Sequence, residues 1–436
     1  MNDHGRRYVC VVTAVTITCA GLIAPTGAAA VAGSPARAEV VTDWNATMID
    51  AMEAAGVSGP VSIRFGAIVA TSVYDAVNGV TRRFAPYRVA ASAPPRTSAK
   101  AAAAGAAYEA LVRIFPTQQP LFDQQLADTL AQLPGHSPRV TRGLQWGSSV
   151  ADEILTWRAG DGIAATLPPY VATPGPGRWQ PTQPAPPGVD PTQPLLRQFA
   201  IMTPWAMTAP EQFLPAPPPA LTSQRYARDF AEVKSLGSAT STERTAFQTD
   251  TALFWASDSP NTLWNRVTDS LRAVHRMSLT AAARLFAREN IAMADAFIAI
   301  WNAKNYYDTW RPITAIQQAG TDGNPATAPD AAWQPLVPTP LFQEYPSGHA
   351  GASQAATAVL ARYFGNRTSF TMTSPHLPDV TRSFRSFSEA AAQVGSARVL
   401  DGIHFRFSCD VARSMGRAVA RNVFATQMQR IHGQTG

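Results

Sequence analysis

The residues best suited to chemistry lie in Pro346-Ser347-Gly348-His349, at the mouth of the run Ala350 to Phe364. Ala, Gln, Leu and Val dominate that run and Gly365-Asn366 stops it, so it reads as a helix. A helix N-terminus leaves backbone N–H groups unpaired and carries a partial positive charge. Ser347 adds a hydroxyl there, Gly348 lets backbone approach a ligand, and His349 adds an ionisable ring. Together they make an oxyanion site, although alone they also describe a capped helix with a surface histidine.

Two further stretches favour the anion. Lys304 and Arg311 stand seven residues apart, ahead of Pro312. On one helix that spacing falls about 20° short of two full turns, which puts both cations on one face. Pro312 then marks an end at Arg311. Downstream, Arg398 and His404 stand six apart in Arg398-Val399-Leu400-Asp401-Gly402-Ile403-His404. A continuous helix would set them on different faces, so Gly402 is expected to break it and let them converge. One Lys, two Arg and two His around a Ser-Gly turn suit a highly charged tetrahedral oxyanion.

Lys-x6-Arg-Pro, Pro-Ser-Gly-His and Arg-x5-His, in this order, resemble the superfamily shared by vanadium-dependent haloperoxidases and type 2 phosphatidic acid phosphatases. Every motif position is filled. The resemblance implies vanadate as cofactor, with phosphate able to occupy the same pocket. Lys304, Arg311, Ser347, Gly348 and Arg398 would hold its oxygens. His404 would be the metal ligand, or the nucleophile in a phosphatase, and His349 the acid–base group. Catalysis then falls to His349, His404, Lys304 and Arg398, with hydrogen peroxide, halide and a small organic acceptor as partners. Trp301 and Phe342 match the aromatics that the fungal chloroperoxidase type places beside the halide, and Phe342 tilts the reading toward chloride. Asp258, in Trp255-Ala256-Ser257-Asp258, resembles the carboxylate that pairs with the last arginine, here Arg398. One position departs: many members carry Asp four residues after the last histidine, where this chain has Ser408. Asp410 sits about 60° further round a helix and is not expected to reach. Pocket chemistry that does not separate phosphate from vanadate keeps open a soluble acid phosphatase working through a phosphohistidine, and the departure at Ser408 keeps open a non-catalytic oxyanion-binding protein.

The remaining sequence bounds this reading. A formal charge of +6 over 436 residues, with no basic stripe or tail, argues against a nucleic-acid partner. Residues 1–38 read as a secretory signal: Arg6-Arg7, an apolar run from Tyr8 to Ile23, and Ala36-Arg37-Ala38 as the cleavage site. The expected location is therefore outside the cell. No later stretch offers about 18 uninterrupted apolar residues, so no permanent anchor is expected, unlike the membrane-spanning lipid phosphatases. Cys409 is the one cysteine beyond the signal, which rules out an intrachain disulfide there. His136, His275, His376 and His432 match no motif and read as surface or core residues.

The elements that must position the site are helical. Apolar residues at helical spacing run through Trp44 to Ala55, Val61 to Val77, Thr97 to Phe115, Leu121 to Leu133 and Val140 to Arg158. Pro- and Gly-bearing breakers separate them. A Pro-rich stretch of about 164–220 follows, and its interspersed Trp, Leu, Phe and Met predict a loop packed over the helices. Helical text resumes at Ser223 to Leu236, Ser241 to Trp255, Leu263 to His275 and Leu279 to Tyr306. Residues 320–345 are irregular, and helices close the chain near Ser386 to Arg398 and Cys409 to Gln429. Strand-like alternation is scarce. The expectation is an all-α fold, a large helical-bundle domain of the vanadium haloperoxidase and acid phosphatase type. It divides into a helical part at 39–240 and a site-bearing part at 241–436, joined as one continuous unit.

Overall fold

The computed structural model describes residues 40–57, 59–133, 137–182 and 188–431. The proposed signal, His136 and His432 lie outside the described residues. The first half contains α1 (Val40–Ala54), α2 (Gly59–Thr81), α3 (Ala99–Ile114), α4 (Gln119–Ala131) and α5 (Pro138–Ala159). The second contains α6 (Gln224–Leu236), α7 (Ala246–Ser257), α8 (Pro260–Val274), α9 (Leu279–Tyr307), α10 (Pro312–Gln317), α11 (Gly348–Phe364), α12 (Phe387–Leu400) and α13 (Arg406–Thr426). The all-α expectation holds, with helix ends within a few residues of those read from spacing. One antiparallel hairpin interrupts it, β1 (Phe370–Ser374) and β2 (Leu377–Phe384), with Phe370 opposite Phe384. Its signal is only Phe370, Met372 and Ser374 alternating inward, too short to stand out in a sequence.

Local chemistry explains where these helices start. Ser98, Ser223, Thr245, Ser259, Ser278 and Ser386 each accept a backbone N–H from the first turn they precede. At the far end of α9, Asp308 adopts a left-handed conformation (φ 49°) and its N–H bonds back to the Lys304 carbonyl. Helix α9 is the axis of the molecule. It is 29 residues and about 43 Å long, and it is buried along almost its whole length. Helices α2, α11 and α13 pack on it. Helices α11 and α13 approach closely because Gly351 and Gly416 meet: a Cβ on Gly416 would run into the Gly351 carbonyl oxygen. One large apolar cluster runs from Val40 on α1 to Met428 beyond α13, beside a small one of Ala101, Leu133 and Val140.

The Pro-rich stretch packs over this body, as its aromatic content predicts. Trp179 is fully buried and Trp205 nearly so. Asp295 on α9 pins the loop by accepting the N–H groups of Trp205, Ala206 and Met207 at 2.7, 2.7 and 2.9 Å. No helix among the described residues is long and apolar enough to cross a membrane.

Candidate active site

Four segments converge where α9 and α12 end and α11 begins. Lys304 sits in the last turn of α9, fully buried, and its Nζ donates to the carbonyls of Gln343 (2.7 Å) and Glu344 (2.9 Å). Arg311 lies beyond that helix. The chain has turned at Asp308, and Arg311 is the N-cap of α10. Placing Lys304 and Arg311 on one helical face is therefore wrong, because the left-handed cap stops α9 first. They meet anyway, since both clamp the same loop: Arg311 Nε donates to the Phe342 carbonyl at 2.7 Å. Arg311 Nη1 reaches the Ile403 carbonyl at 2.9 Å and lies 3.2 Å from His404 Nε2.

Gly402 (φ 80°) breaks the chain after α12 and brings Arg398 and His404 to one place, as expected from their spacing. Here a glycine is required, since a Cβ at position 402 would also collide with the Gly237 carbonyl. Arg398 pairs with Asp401 at 2.6 Å. Asp258 was the expected partner, and that assignment is corrected. It caps the end of α7, 3.8 Å from Arg266 and 3.6 Å from His376, while Asp401 stands three residues from Arg398 on the same chain turn.

The absence of an acid at position 408 is made good from a different segment. Glu344 Oε1 accepts His404 Nδ1 at 2.8 Å and the Phe405 N–H at 3.1 Å. With Nδ1–H committed to the carboxylate, Nε2 carries the lone pair and faces Arg311. Ser408 is buried beside Glu344 and helps hold its proton affinity down, whereas Asp410 is exposed and takes no part. Sequence reasoning missed Glu344. The signal available was one acid within the otherwise uncharged Phe342-Gln343-Glu344-Tyr345-Pro346 lead into the motif.

Ser347 occupies the N-cap of α11, yet its side chain makes no capping bond. Its hydroxyl is buried and has no hydrogen-bond partner, and the same is true of Arg311 Nη2 and Arg398 Nε. Six other Ser and Thr caps in this chain bond their helices; Ser137 at the start of α5 does not, but Ser347 is the non-capping hydroxyl that is also buried. A Cβ on Gly348 would meet only ring atoms of Trp301 and Phe297, at 3.4 and 3.5 Å. The protein's own packing does not demand glycine there, which fits a position kept bare for a ligand. All the unpartnered atoms just named are donors, and an anionic oxygen ligand satisfies them.

Burial sets the electrostatics. Desolvation, reinforced by Arg311, drives the Lys304 ammonium well below its usual range, though Glu344 opposes the shift. Arg311 falls to about 9, chiefly by desolvation. Glu344 rises to about 7 for the same reason, against the pull of Lys304 and Arg311. Both histidines are held well below the ordinary range by desolvation and by neighbouring cations, Arg398 and Lys304 for His349, and Arg311 first for His404. Neutral rings and crowded cations describe a cradle that gains most from a bound anion.

One wall is aromatic. Trp301 stacks on Phe297 (4.9 Å between centroids) and touches Phe342 (5.0 Å). Lys304 Nζ lies 5.2 Å from the Phe342 centroid and Arg311 Cζ 4.8 Å. His349 is half-buried and opens onto a cavity of about 410 Å³, also lined by Glu53, Ser257, Asp258, Thr262 and His376. His275 stacks on Phe364 and stays outside the site.

Comparison with known proteins agrees with this geometry. A family profile for the second helical-bundle domain of VCPO matches residues 284–433. Vanadium chloroperoxidase of Curvularia inaequalis is 28% identical over 329 residues, 62% of this chain and 53% of that protein. The chain thus spans about half the length of this curated relative. A bacterial vanadium-dependent iodoperoxidase superposes with TM-score 0.78 at 25% identity, covering 91% of this chain and 98% of that one. A bacterial vanadium-dependent chloroperoxidase shares the fold, with TM-score 0.69 at 17% identity over 85% of this chain and 92% of that one. In motif order, in the profile matched over residues 284–433 and in fold, the chain is similar to the vanadium-dependent haloperoxidases.

Proposed function

We propose that the protein is an exported vanadate-dependent haloperoxidase, oxidising halide with hydrogen peroxide to a hypohalous-acid-type halogenating species. One observation carries the reading. Buried donors without partners, Arg311 Nη2, Arg398 Nε and Ser347 Oγ, surround a neutral histidine whose Nδ1 is tied to Glu344. Lys304 uses two of its three N–H bonds on the loop and has one to give. These residues fit vanadate: Lys304, Arg311, Arg398, Ser347 Oγ and the Gly348 N–H would hold its oxygens, and His404 Nε2 the metal. Bound vanadate would supply Lewis acidity toward peroxide.

The protein's residues do the rest. Lys304 donates to negative charge that builds on peroxide oxygen as the O–O bond breaks. His349 Nδ1 or Nε2, neutral and open to the cavity, takes and returns the proton that peroxide and water exchange. Trp301, Phe297 and Phe342 keep one wall dry, which strengthens each charge contact. Two electrons leave the halide, peroxide oxygen goes to the halogen, and water carries off the other oxygen.

Phosphatase chemistry remains the second reading, because the lone pair on His404 Nε2 could equally attack phosphorus. The binding-protein reading rested on Ser408, and Glu344 supplies the partner that Ser408 lacks. The deciding experiment loads purified protein with orthovanadate and follows dimedone halogenation with chloride, bromide and iodide across acid to neutral pH. The relatives named for chloride and iodide make all three necessary. No turnover with any halide, despite stoichiometric vanadium, would refute the proposal. Phosphomonoester hydrolysis lost in His404→Ala would select the phosphatase. Export predicts a mature N-terminus at Glu39, which mass spectrometry of secreted protein checks.

A further inference from the structure

The rim of the cavity that exposes His349 carries a second set of ligand atoms. Glu53 from the last turn of α1, Asp258 from the cap of α7 and His376 from the hairpin turn each offer one, all within 4.8 Å of one another. None belongs to the oxyanion cradle, and Asp258 is free for this because Arg398 pairs with Asp401.

Asp258 is the strongest sign of a cation site. Its side chain is only 3% exposed, yet Oδ2 has no hydrogen-bond partner, and it lines the cavity. Its nearest positive neighbour, Arg266 Nη1, stands off at 3.8 Å and is itself unpartnered. Arg266 instead uses Nη2 to hold Glu53 Oε1 at 2.7 Å. His376 Nε2 stops 3.6 Å from Asp258 Oδ1, too far for a hydrogen bond. A desolvated carboxylate in this state is costly unless something charged completes it. Two carboxylates against one guanidinium leave a net negative charge to receive a cation.

We propose that Glu53, Asp258 and His376 bind a divalent transition-metal ion such as Zn²⁺ or Mn²⁺. An imidazole with two carboxylates suits these ions, whereas Ca²⁺ and Mg²⁺ prefer all-oxygen shells. Metal–ligand distances of roughly 2.0–2.2 Å place donors about 3–4 Å apart. A small swing of Glu53, whose side chain is 29% exposed, closes the gap. The cavity leaves open positions for water. Such an ion ties α1, the end of α7 and the hairpin together at the rim of the cavity that His349 opens onto.

The test needs no halogenation assay, so it is independent of the proposed activity. Untagged full-length protein, free of phosphate and chelator, is titrated calorimetrically with Zn²⁺, Mn²⁺ and Ca²⁺, and melted with and without each ion. The expected result is one equivalent of Zn²⁺ or Mn²⁺ bound, with a raised melting temperature. Glu53→Gln and His376→Ala should each weaken binding at least tenfold. Both sites are accessible, so each variant is first shown to melt like the metal-free parent. No binding, equal preference for Ca²⁺, or undiminished affinity in both variants would overturn the assignment.

Discussion

Replacing Glu344 by Gln separates its charge from its shape. Gln keeps an acceptor for His404 Nδ1–H and the Phe405 N–H, now met at 2.8 and 3.1 Å, so the ring orientation and tautomer survive. The carboxylate charge does not. A hydrogen bond to a charged group contributes about 1.5–3 kcal/mol, and at about 1.4 kcal/mol per factor of ten this converts to roughly 10–100-fold in metal affinity. The effect on a plain anion has the opposite sign. Lys304, Arg311 and Arg398 face Glu344 and Asp401 in the cradle, so Glu344→Gln makes the site more positive. Orthovanadate, whose metal His404 Nε2 would hold on the proposed reading, should bind roughly 10–100-fold more weakly, while sulfate should bind as well as before or better. Parallel calorimetric titrations with the two anions check this. An equal loss for both would mean the cradle has collapsed. Unchanged vanadate affinity would mean that Glu344 does not tune His404.

The two site histidines should fail differently: His404→Ala loses vanadate affinity, whereas His349→Ala retains much of it but loses turnover by about 10²–10⁴-fold. Side-by-side binding and rate measurements check both, and a reversed pattern would reverse the roles. Desolvation first, then Arg398 and Lys304, depress the His349 pKa; a bound anion offsets the two cations, so anion binding takes up a proton there. Sulfate affinity should therefore rise as pH falls below the ordinary histidine range, and His349→Ala should flatten that acid limb. Asp295→Ala would strand three backbone N–H groups of the Pro-rich loop at about 1–3 kcal/mol each. Its thermal midpoint should drop, and limited proteolysis near Trp205 should speed up.

Much of this site is legible in the sequence, because its parts sit at helix boundaries that leave local marks. Ser347-Gly348 is readable as a helix start from the breaker before it and the helix formers after it. Gly402 is readable as the break that lets Arg398 and His404 converge. The Lys304–Arg311 inference reached the right neighbourhood by a wrong path. Periodicity assumes one continuous helix, and Asp308 in a left-handed cap carries no marker as plain as glycine would.

The partners of the charged groups were not legible, for a common physical reason. Offset rules hold only while both residues share one element. Glu344 reaches His404 across 60 residues, from a loop whose path is fixed by Lys304 and Arg311 bonding the carbonyls of 342–344. Three backbone carbonyls thus decide where the carboxylate falls, and carbonyls have no signature in side-chain text. The same bonds have a functional consequence. Lys304 and Arg311 are already oriented by the loop before any anion arrives, while Arg311 Nη2, Arg398 Nε and Ser347 Oγ stay unspent. A cradle built this way needs little reorganisation when its ligand binds.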